Sequence, residues 1–292
     1  MNKMELYEGR LFRPPSEGNS LIIQATIGCS HNKCRFCTMY KEKNFRIKTA
    51  DEIIKELDSI KLYHKNYKRL FLADGDAMSM RTSELLKILK YVREEMPSIN
   101  RVGIYSHGNN LLQKSVEELK ELKDNGLGII YLGLESGSEE VLYLMDKGIG
   151  VLETVKACKI AKEAGLKISL MVISGLGGKR FMYEHAVKSA WAVNEIKPNY
   201  LSLLTLMVDS EAKISKDIDN GEFELLTPEE VLEEARLFIE ETKLDKTIFR
   251  SNHASNYLAL EGVLGRDKDR LLREIDDAKK DHSLKEEFFR GL

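Results

Sequence analysis

The sequence LIIQATIGCSHNKCRFC, residues 21–37, joins an apolar run to three closely spaced cysteines. The run over 21–27 is short and rich in β-branched residues, which predicts a buried strand. The residues between the first two cysteines, Ser-His-Asn-Lys, are all polar and predict a solvated loop. Loops at the carboxyl ends of strands hold the active sites of many α/β folds. We therefore expect a functional site directly after the first strand.

Strand and helix signals alternate along the chain after this loop. Five further apolar runs predict strands at 69–74, 101–106, 128–136, 167–174 and 200–208. Strands that are apolar throughout are buried on both faces, and their alternation with helices indicates parallel crossovers. The pattern predicts an α/β fold and fits a barrel-like sheet as well as a doubly wound one.

Helix starts are marked by residues that cap unpaired backbone amides. The predicted capping boxes are Thr49 with Glu52, Ser115 with Glu118, and Ser136 with Glu139. The alternation of strand and helix signals ends at Val208, and residues 209–226 are predicted to be irregular. A helix start at Thr227-Pro228, a polar segment over 247–262 and a charged final helix follow, which predicts an α-rich C-terminal extension.

The composition excludes several classes of protein. Lys and Arg number 45 against 47 Asp and Glu, a net charge of −2, so we expect no general nucleic-acid binding. No apolar run approaches the roughly 18–20 residues of a membrane span. The N-terminus MNKMELYEGRLFRPP lacks the apolar core of a signal peptide. A cytoplasmic protein without a membrane partner is the expectation.

The four cysteines divide into a cluster and a remote residue. Cys29, Cys34 and Cys37 fall within nine residues, whereas Cys158 lies on a predicted apolar helix face. This distribution argues against a disulfide framework. Three thiolates in one loop suit zinc or an iron–sulfur cluster. Zinc would need a fourth ligand, for which His31 is a candidate, whereas a 4Fe–4S cluster held by three cysteines leaves one iron open.

The cysteine cluster, placed after the first strand with an aromatic residue before its third member, resembles the radical S-adenosylmethionine (SAM) superfamily. The resemblance is closest to its elongator, methylthiotransferase and coproporphyrinogen oxidase-like branch. It implies that Cys29, Cys34 and Cys37 hold a 4Fe–4S cluster that reductively cleaves SAM to a 5′-deoxyadenosyl radical, which abstracts hydrogen from a substrate. This chain has four residues between the first two cysteines, where the common spacing is three.

The resemblance also implies a fold and a domain plan. The fold is a partial (β/α)6 TIM-like barrel over residues 21–208. An N-terminal segment, 1–20, precedes the barrel and the C-terminal extension, 209–292, follows it.

Several positions at strand ends match the parts of the family's SAM site. Gly75 and Asp76 correspond to the element that meets the amino group of SAM, and Glu135 to a ribose ligand. Ser174 and Gly175 correspond to the segment that packs on adenine, and the backbone of Met39 to a further adenine contact. Tyr40 matches an aromatic residue that the family commonly has after the third cysteine. All are expected to bind the cofactor.

Further polar residues follow strands or lie in the C-terminal segment, where they would face the mouth of a barrel. Asp74 and His107 are candidate catalytic residues. The candidate substrate-binding residues are Tyr105, Lys179, Arg180, Arg250 and His253. The remaining histidines, His64, His185 and His282, lie in helix-like stretches and are expected to be exposed.

The resemblance implies a reductant such as flavodoxin or ferredoxin and an oxygen-sensitive enzyme. It leaves open the substrate, which is a small molecule or a macromolecule, and the reaction subclass. Three alternatives stand beside it. They are a non-catalytic iron–sulfur or zinc protein using His31, a zinc hydrolase, and a SAM-cleaving enzyme that breaks a different C–S bond.

Overall fold

The computed structural model describes residues 7–291, with the strands and helices of an α/β fold. The strands are β1 (Leu21–Gln24), β2 (Thr26–Ile27), β3 (Arg46–Ile47), β4 (Arg69–Ala73), β5 (Arg101–Tyr105), β6 (Leu127–Glu135), β7 (Lys167–Ser174), β8 (Tyr200–Thr205), β9 (Ile248–Ser251) and β10 (Leu260–Val263). The predicted first strand is divided at Ala25, since β2 pairs with β3 in a separate two-stranded ribbon.

The helices lie between the strands, as the alternating pattern predicts. They are α1 (Ala50–Ile60), α2 (Thr82–Glu95), α3 (Gly108–Leu112), α4 (Val116–Asp124), α5 (Glu139–Leu144), α6 (Val151–Glu163), α7 (Gly178–Ile196), α8 (Lys213–Asp219), α9 (Pro228–Glu241) and α10 (Lys268–Lys280). No helix within residues 7–291 is both long and apolar enough to cross a membrane.

The chain divides into two compact units. The first contains residues up to 32, 39–132 and 156–168. In it β1 pairs with β4, β4 with β5, and β5 with β6, all in parallel. Their central residues, such as Phe71 and Ile104, are fully buried, as expected for strands covered on both faces.

The second unit contains residues 33–38, 133–155 and those from 169 onward. Here β7 pairs in parallel with β8, and β8 with β9, while β10 runs antiparallel to β9. Helices α7 and α9 pack against each other in this unit. The mostly parallel strands of both units confirm the predicted α/β class.

Two of the three predicted capping boxes are confirmed. Thr49 caps α1 and Ser115 caps α4, each with its glutamate partner in place. The third is wrong, because Ser138 and not Ser136 caps α5 by accepting from the amide of Val141. The hydroxyl of Ser136 instead bonds His185, a partner distant in sequence.

The C-terminal segment contains more regular structure than its sequence predicts. The stretch read as irregular includes α8, and the polar segment over 247–262 includes the short strands β9 and β10. Each strand has only four residues, too few for a clear alternating pattern. Arg250 on β9 points to solvent, whereas Phe249 beside it is fully buried.

The turn after β6 packs directly on the backbone of α7. The amide of Gly137 donates to the Ser189 hydroxyl at 2.7 Å, and a Cβ at residue 137 would overlap backbone atoms of Lys188. A side chain here cannot be accommodated by a change of rotamer, since the obstacle is main chain.

Gly137→Ala is therefore expected to lower the free energy of unfolding by about 2 kcal/mol, measured by denaturant titration. Gly262→Ala is a matched control. Its Cβ would stand 3.0 Å from side-chain atoms of Arg270 and Asp267, which is a longer distance than the overlap at residue 137 and involves no main-chain atom. We expect a loss below about 1 kcal/mol for the control. Equal losses in both variants would contradict the backbone contact.

Candidate functional site

The loop that contains Cys29 is fixed to the end of β4 by backbone hydrogen bonds. The amide of Gly75 donates to the carbonyl of Gly28 at 3.0 Å, and the amide of Gly28 donates to Asp74 Oδ2 at 2.9 Å. Gly28 has a φ of +79°, a conformation that glycine adopts without a steric penalty. The first cysteine therefore has a defined backbone position in the first unit.

Three of the predicted site residues meet at this point. A Cβ added to Gly75 would lie 2.7 Å from Cβ of Cys29 and 2.8 Å from the ring of Tyr40. The bare backbone of Gly75 is thus what allows the cysteine and the tyrosine to approach. Tyr40 is buried, whereas its neighbour Met39 is exposed.

The extra residue of the cysteine loop is accommodated by a left-handed turn. Asn32 has a φ of +42°, and asparagine tolerates this region better than most residues. Its side-chain amide donates to the carbonyl of Tyr40 at 2.8 Å. The four-residue spacing is therefore built into a turn that is bonded to the same aromatic position.

Asp74 is a fully buried carboxylate that holds this loop together. Its Oδ2 accepts from Lys43 Nζ at 2.8 Å and from Gln24 at 3.2 Å, in addition to Gly28. Its Oδ1 is buried without a hydrogen-bond partner among the described residues. Lys43 was not predicted, because it lies in an ordinary charged stretch 31 residues away in sequence.

Asp76, also fully buried, joins the cysteine loop to α3. It accepts from the backbone amide of His107 at 2.8 Å and from the side chains of Ser30 and Asn110. The rings of His107 and His31 are stacked, with centroids 5.4 Å apart. Asp76 and His107, both predicted site residues, are thus brought together with the first cysteine loop.

Tyr105 belongs to an aromatic cluster in the first unit. Its ring meets Phe71 edge-on at 4.9 Å and lies 6.1 Å from Tyr131. Tyr131 donates to the buried carboxylate of Glu17, and burial raises the pKa of its phenol. Tyr105 is half-buried and packs within this cluster.

The second and third cysteines lie on a turn of the second unit that is anchored by Arg35. The amide of Arg35 donates to the carbonyl of Met145 at 3.0 Å, and its carbonyl accepts from Ile214 at 3.1 Å. Its guanidinium pairs with Asp217 at 2.6 Å. Phe36 packs on a buried apolar cluster that includes Met145 and Ile214. The turn is therefore fixed to α5 and α8.

The four cysteines have two kinds of environment, and none forms a disulfide. Cys29, Cys34 and Cys37 are half-buried in loops, whereas Cys158 is fully buried on α6. Burial raises the pKa of the Cys158 thiol to about 12, which keeps it protonated. Only the three loop cysteines have the solvent access and polar surroundings that cluster ligands require.

No three His, Cys, Asp or Glu side chains converge on a single ion anywhere in the described ranges. A 4Fe–4S cluster does not require such convergence, since each cysteine binds a different iron atom. The donor set of three soft thiolates thus fits the cluster.

Glu135, at the end of β6, is a strained and incompletely bonded carboxylate. Its φ is +63°, its exposure is 6%, and its Oε1 pairs with Lys147 Nζ at 2.9 Å. Its Oε2 is buried and has no hydrogen-bond partner within residues 7–291. Gly133 leaves the space for this carboxylate, which a Cβ there would overlap. Strain and an unpaired acceptor are typical of a ligand site, which fits the expected ribose contact.

The turn after β7 is held by a residue that was not predicted. Glu234 on α9 accepts from the Ser174 hydroxyl at 2.6 Å and from the Gly175 amide at 2.7 Å. His185 lies beside this carboxylate with 1% exposure, so its predicted exposure is wrong. His185 is one of the buried residues of α7, which packs against α9. His282 is exposed as predicted, and the side chain of His64 lies outside the described residues.

The remaining candidates of the second unit lie mostly at the surface. Lys179 stands 3.6 Å from Glu230, and Arg250 pairs with Glu261 at 2.7 Å. Arg180 is exposed, with its guanidinium over the ring of Phe181. His253 is half-buried and 2.9 Å from the Ser255 hydroxyl. Burial and the charge of Lys285 lower the pKa of His253.

Curated proteins similar to this chain come from archaea. A putative methylthiotransferase of Methanocaldococcus jannaschii is 24% identical over 160 residues, covering 52% of this chain and 34% of its own. An uncharacterized methyltransferase of Pyrococcus horikoshii is 28% identical over 147 residues. The match covers 50% of this chain and 30% of the length of that protein. This chain thus spans about a third of the length of these relatives.

Solved structures share the fold at low identity. Coproporphyrinogen III oxidase from Escherichia coli, described as a radical SAM enzyme, superposes with a TM-score of 0.57 at 14% identity, over 89% of this chain and 69% of its own. Methylornithine synthase superposes with a TM-score of 0.54 at 16% identity. The match covers 91% of this chain and 82% of the synthase. These likenesses agree with the predicted fold class, an α/β partial barrel.

A family model described as the radical SAM superfamily matches residues 23–188, more than half of the chain. This range contains the three loop cysteines and the ends of β4, β6 and β7, where the fixed loops and unpaired carboxylates described above lie. The chain belongs to the radical SAM superfamily, whose cofactors are a 4Fe–4S cluster and SAM.

Proposed function

We propose that this chain is the catalytic part of a radical SAM enzyme, with Cys29, Cys34 and Cys37 as the cluster ligands. The observation that carries the proposal is that the cysteine loop is fixed by backbone hydrogen bonds at Gly28 and Arg35 while its thiols stay half-exposed. A fixed backbone with accessible soft donors is what a cluster site requires. When bound, the cluster and SAM supply a reducing electron and a 5′-deoxyadenosyl radical.

The residues of this chain would bind and orient SAM. Oε2 of Glu135 is an unpaired acceptor for a ribose hydroxyl, while Lys147 occupies the other oxygen. Asp76 is proposed to accept the amino group of SAM. The backbone amide of His107 and the side chains of Ser30 and Asn110 hold this carboxylate in place beside the loop of Cys29, and a carboxylate is an acceptor for an ammonium group.

The adenine contacts are proposed in two segments that both follow the cysteine loop in sequence. Met39 and Tyr40 follow the third cysteine, and Ser174 with Gly175 forms the turn after β7. Gly175 has a φ of +82°, so its backbone lies bare at the turn. A bare backbone permits the close approach of a flat ring.

Catalytic roles are proposed for Asp74 and His107, and substrate-binding roles for the other predicted residues. Asp74 and His107 hold structure in the first unit, and Tyr105 packs in an aromatic cluster. Lys179 and Arg180 lie at the start of α7, and Arg250 and His253 in the C-terminal segment. An exposed Arg250 paired with Glu261 is available to an external substrate only if that pair opens.

Substrate, partners and location are proposed only by class. The relatives are named as a methylthiotransferase, a methyltransferase and a tRNA uridine(34) acetyltransferase, all matched over about half of this chain or less. Both a small molecule and a macromolecule therefore remain within the proposal. A flavodoxin or ferredoxin as electron donor, a cytoplasmic location and oxygen sensitivity complete it. The division into 1–20, 21–208 and 209–292 is part of the same proposal.

The protein, purified without oxygen, reconstituted with iron and sulfide and reduced with dithionite, is expected to convert SAM to 5′-deoxyadenosine. Product analysis by chromatography and mass spectrometry checks this. Methylthioadenosine as the product would show cleavage of a different C–S bond. A 4Fe–4S cluster that neither binds nor cleaves SAM would refute the proposed activity.

Cys34→Ala is expected to lose most of the cluster iron, because it removes one of the three thiolate ligands. Iron content and the visible absorption of the cluster are the measurements. Cys158→Ala is the matched control and should retain wild-type iron, since its thiol is fully buried in α6. Iron loss in the control, or its retention in Cys34→Ala, would show that the ligands are assigned incorrectly.

Lys147→Met leaves the Glu135 carboxylate buried without its partner and is expected to cost about 3 kcal/mol of unfolding free energy. Denaturant unfolding measures the loss. The double variant with Glu135→Gln leaves no buried charge and is expected to lose less. A double variant as unstable as Lys147→Met alone would mean that the ion pair is not the cause.

A further inference from the structure

The turn after β7 is tied to the C-terminal segment by one buried carboxylate. Oε1 of Glu234, on α9, accepts from the Ser174 hydroxyl at 2.6 Å and from the Gly175 amide at 2.7 Å. The exposure of Glu234 is 2%. Hydrogen bonds to a buried carboxylate are stronger than neutral ones, so the direction of the Gly175 amide is set by α9.

The carboxylate of Glu234 also lies near His185, a residue that bonds the segment after β6. His185 Nε2 stands 3.8 Å from Glu234 Oε1, and His185 Nδ1 lies 2.7 Å from the Ser136 hydroxyl. The Ser136 oxygen also accepts from the amide of Ser138 at 3.0 Å. The loops that follow Glu135 and Ser174 therefore contact the same row of buried polar side chains, in which the His185–Glu234 distance of 3.8 Å is longer than a hydrogen bond.

A catalytic role for this row of side chains is excluded by its burial. A serine, a histidine and a glutamate in a row are the parts of a hydrolytic triad. Ser136 is fully buried, and His185 and Glu234 are almost so. No substrate reaches such a serine, so the row of side chains acts on other residues and not on a reacting atom.

The cost of burying this row of side chains indicates that it has a function. A buried carboxylate is expensive to desolvate, and Oε2 of Glu234 has no hydrogen-bond partner among residues 7–291. A core built only for stability would place an apolar side chain here at less cost. What the carboxylate provides instead is a fixed geometry for the turn after β7.

We propose that Glu234 is a positioning residue through which the C-terminal segment sets the loops that bind the adenosine part of SAM. The proposal rests on the proposed function for the role of Ser174, Gly175 and Glu135. It adds a residue that lies outside the matched family range of 23–188. In this proposal Glu234 acts on SAM only through the loop that it holds, since its side chain is buried.

The test compares Glu234→Leu with Glu233→Leu, the neighbouring residue on α9. Glu233 pairs with Lys279 at the surface and does not contact the turn after β7. Four quantities are measured on the full chain. They are cluster iron, melting temperature, hydrogen–deuterium exchange of segments 134–140 and 170–180 without SAM, and SAM affinity of the reconstituted protein by calorimetry.

We expect Glu234→Leu to retain cluster iron, to exchange about tenfold faster at the Gly175 turn and to bind SAM about tenfold more weakly, the value of one charge-assisted hydrogen bond. Its KM for SAM should rise more than its kcat falls. Glu233→Leu should match the wild type in all four quantities. Wild-type exchange and affinity in Glu234→Leu would overturn the proposal.

Two further variants keep the test decisive if Glu234→Leu does not fold. Glu234→Gln retains an acceptor oxygen and is expected to restore most of the SAM affinity. Glu234→Asp keeps the charge, but its side chain is shorter by one methylene and should no longer reach Ser174 and Gly175. Hydrogen exchange at the turn after β7 should then be faster. Wild-type affinity in Glu234→Asp, or affinity lost equally in Glu234→Gln and Glu234→Asp, would refute positioning by this contact. A wild-type protein that holds its cluster but does not bind SAM refutes the proposed function itself, whereas the exchange data still decide whether Glu234 holds the turn.

Discussion

Buried carboxylates at the carboxyl ends of parallel strands are the main physical constraint in this protein. Asp74 and Asp76 follow β4, Glu135 ends β6, and Glu234 reaches the end of β7. Each is nearly inaccessible to water and would be costly without donors. Each takes its donors from a loop or a distant helix, so satisfying the charge also fixes the backbone. The need of each buried carboxylate for hydrogen-bond donors therefore fixes the loop that carries or contacts it.

The sequence predicts the parts of the structure that depend on local patterns. Apolar runs locate the strands, and two capping boxes locate helix starts, because both signals lie within a few neighbouring residues. The box at Ser136 fails because its hydroxyl bonds His185, 49 residues away. The predicted exposure of His185 is wrong for the same reason. Tertiary partners override local preference wherever a polar side chain is buried.

The partners of the site residues lie beyond what one sequence reveals. Lys43 pairs with Asp74 across 31 residues, and Glu234 bonds Gly175 across 59. Lysines and glutamates are frequent on exposed helix faces, and nothing local distinguishes a buried one. The cysteines could be predicted as ligands from the sequence because three thiols in one loop are rare. The positions at the strand ends were predicted from the resemblance to the family, and two of them, Gly75 and Asp76, lie beside the loop of Cys29 in the first unit.

The segment after Val208 packs on the turn of Cys34 and Cys37 and on the turn after β7, although the family match ends at 188. In the second unit, Ile214 and Asp217 bond the backbone and side chain of Arg35, between two of the cysteines. Glu234 bonds Gly175 in the turn after β7. Residues after 208 therefore bond residues before 208 within the second unit. The turn of Cys34 and Cys37 and the turn after β7 are both held by residues outside the matched range of 23–188.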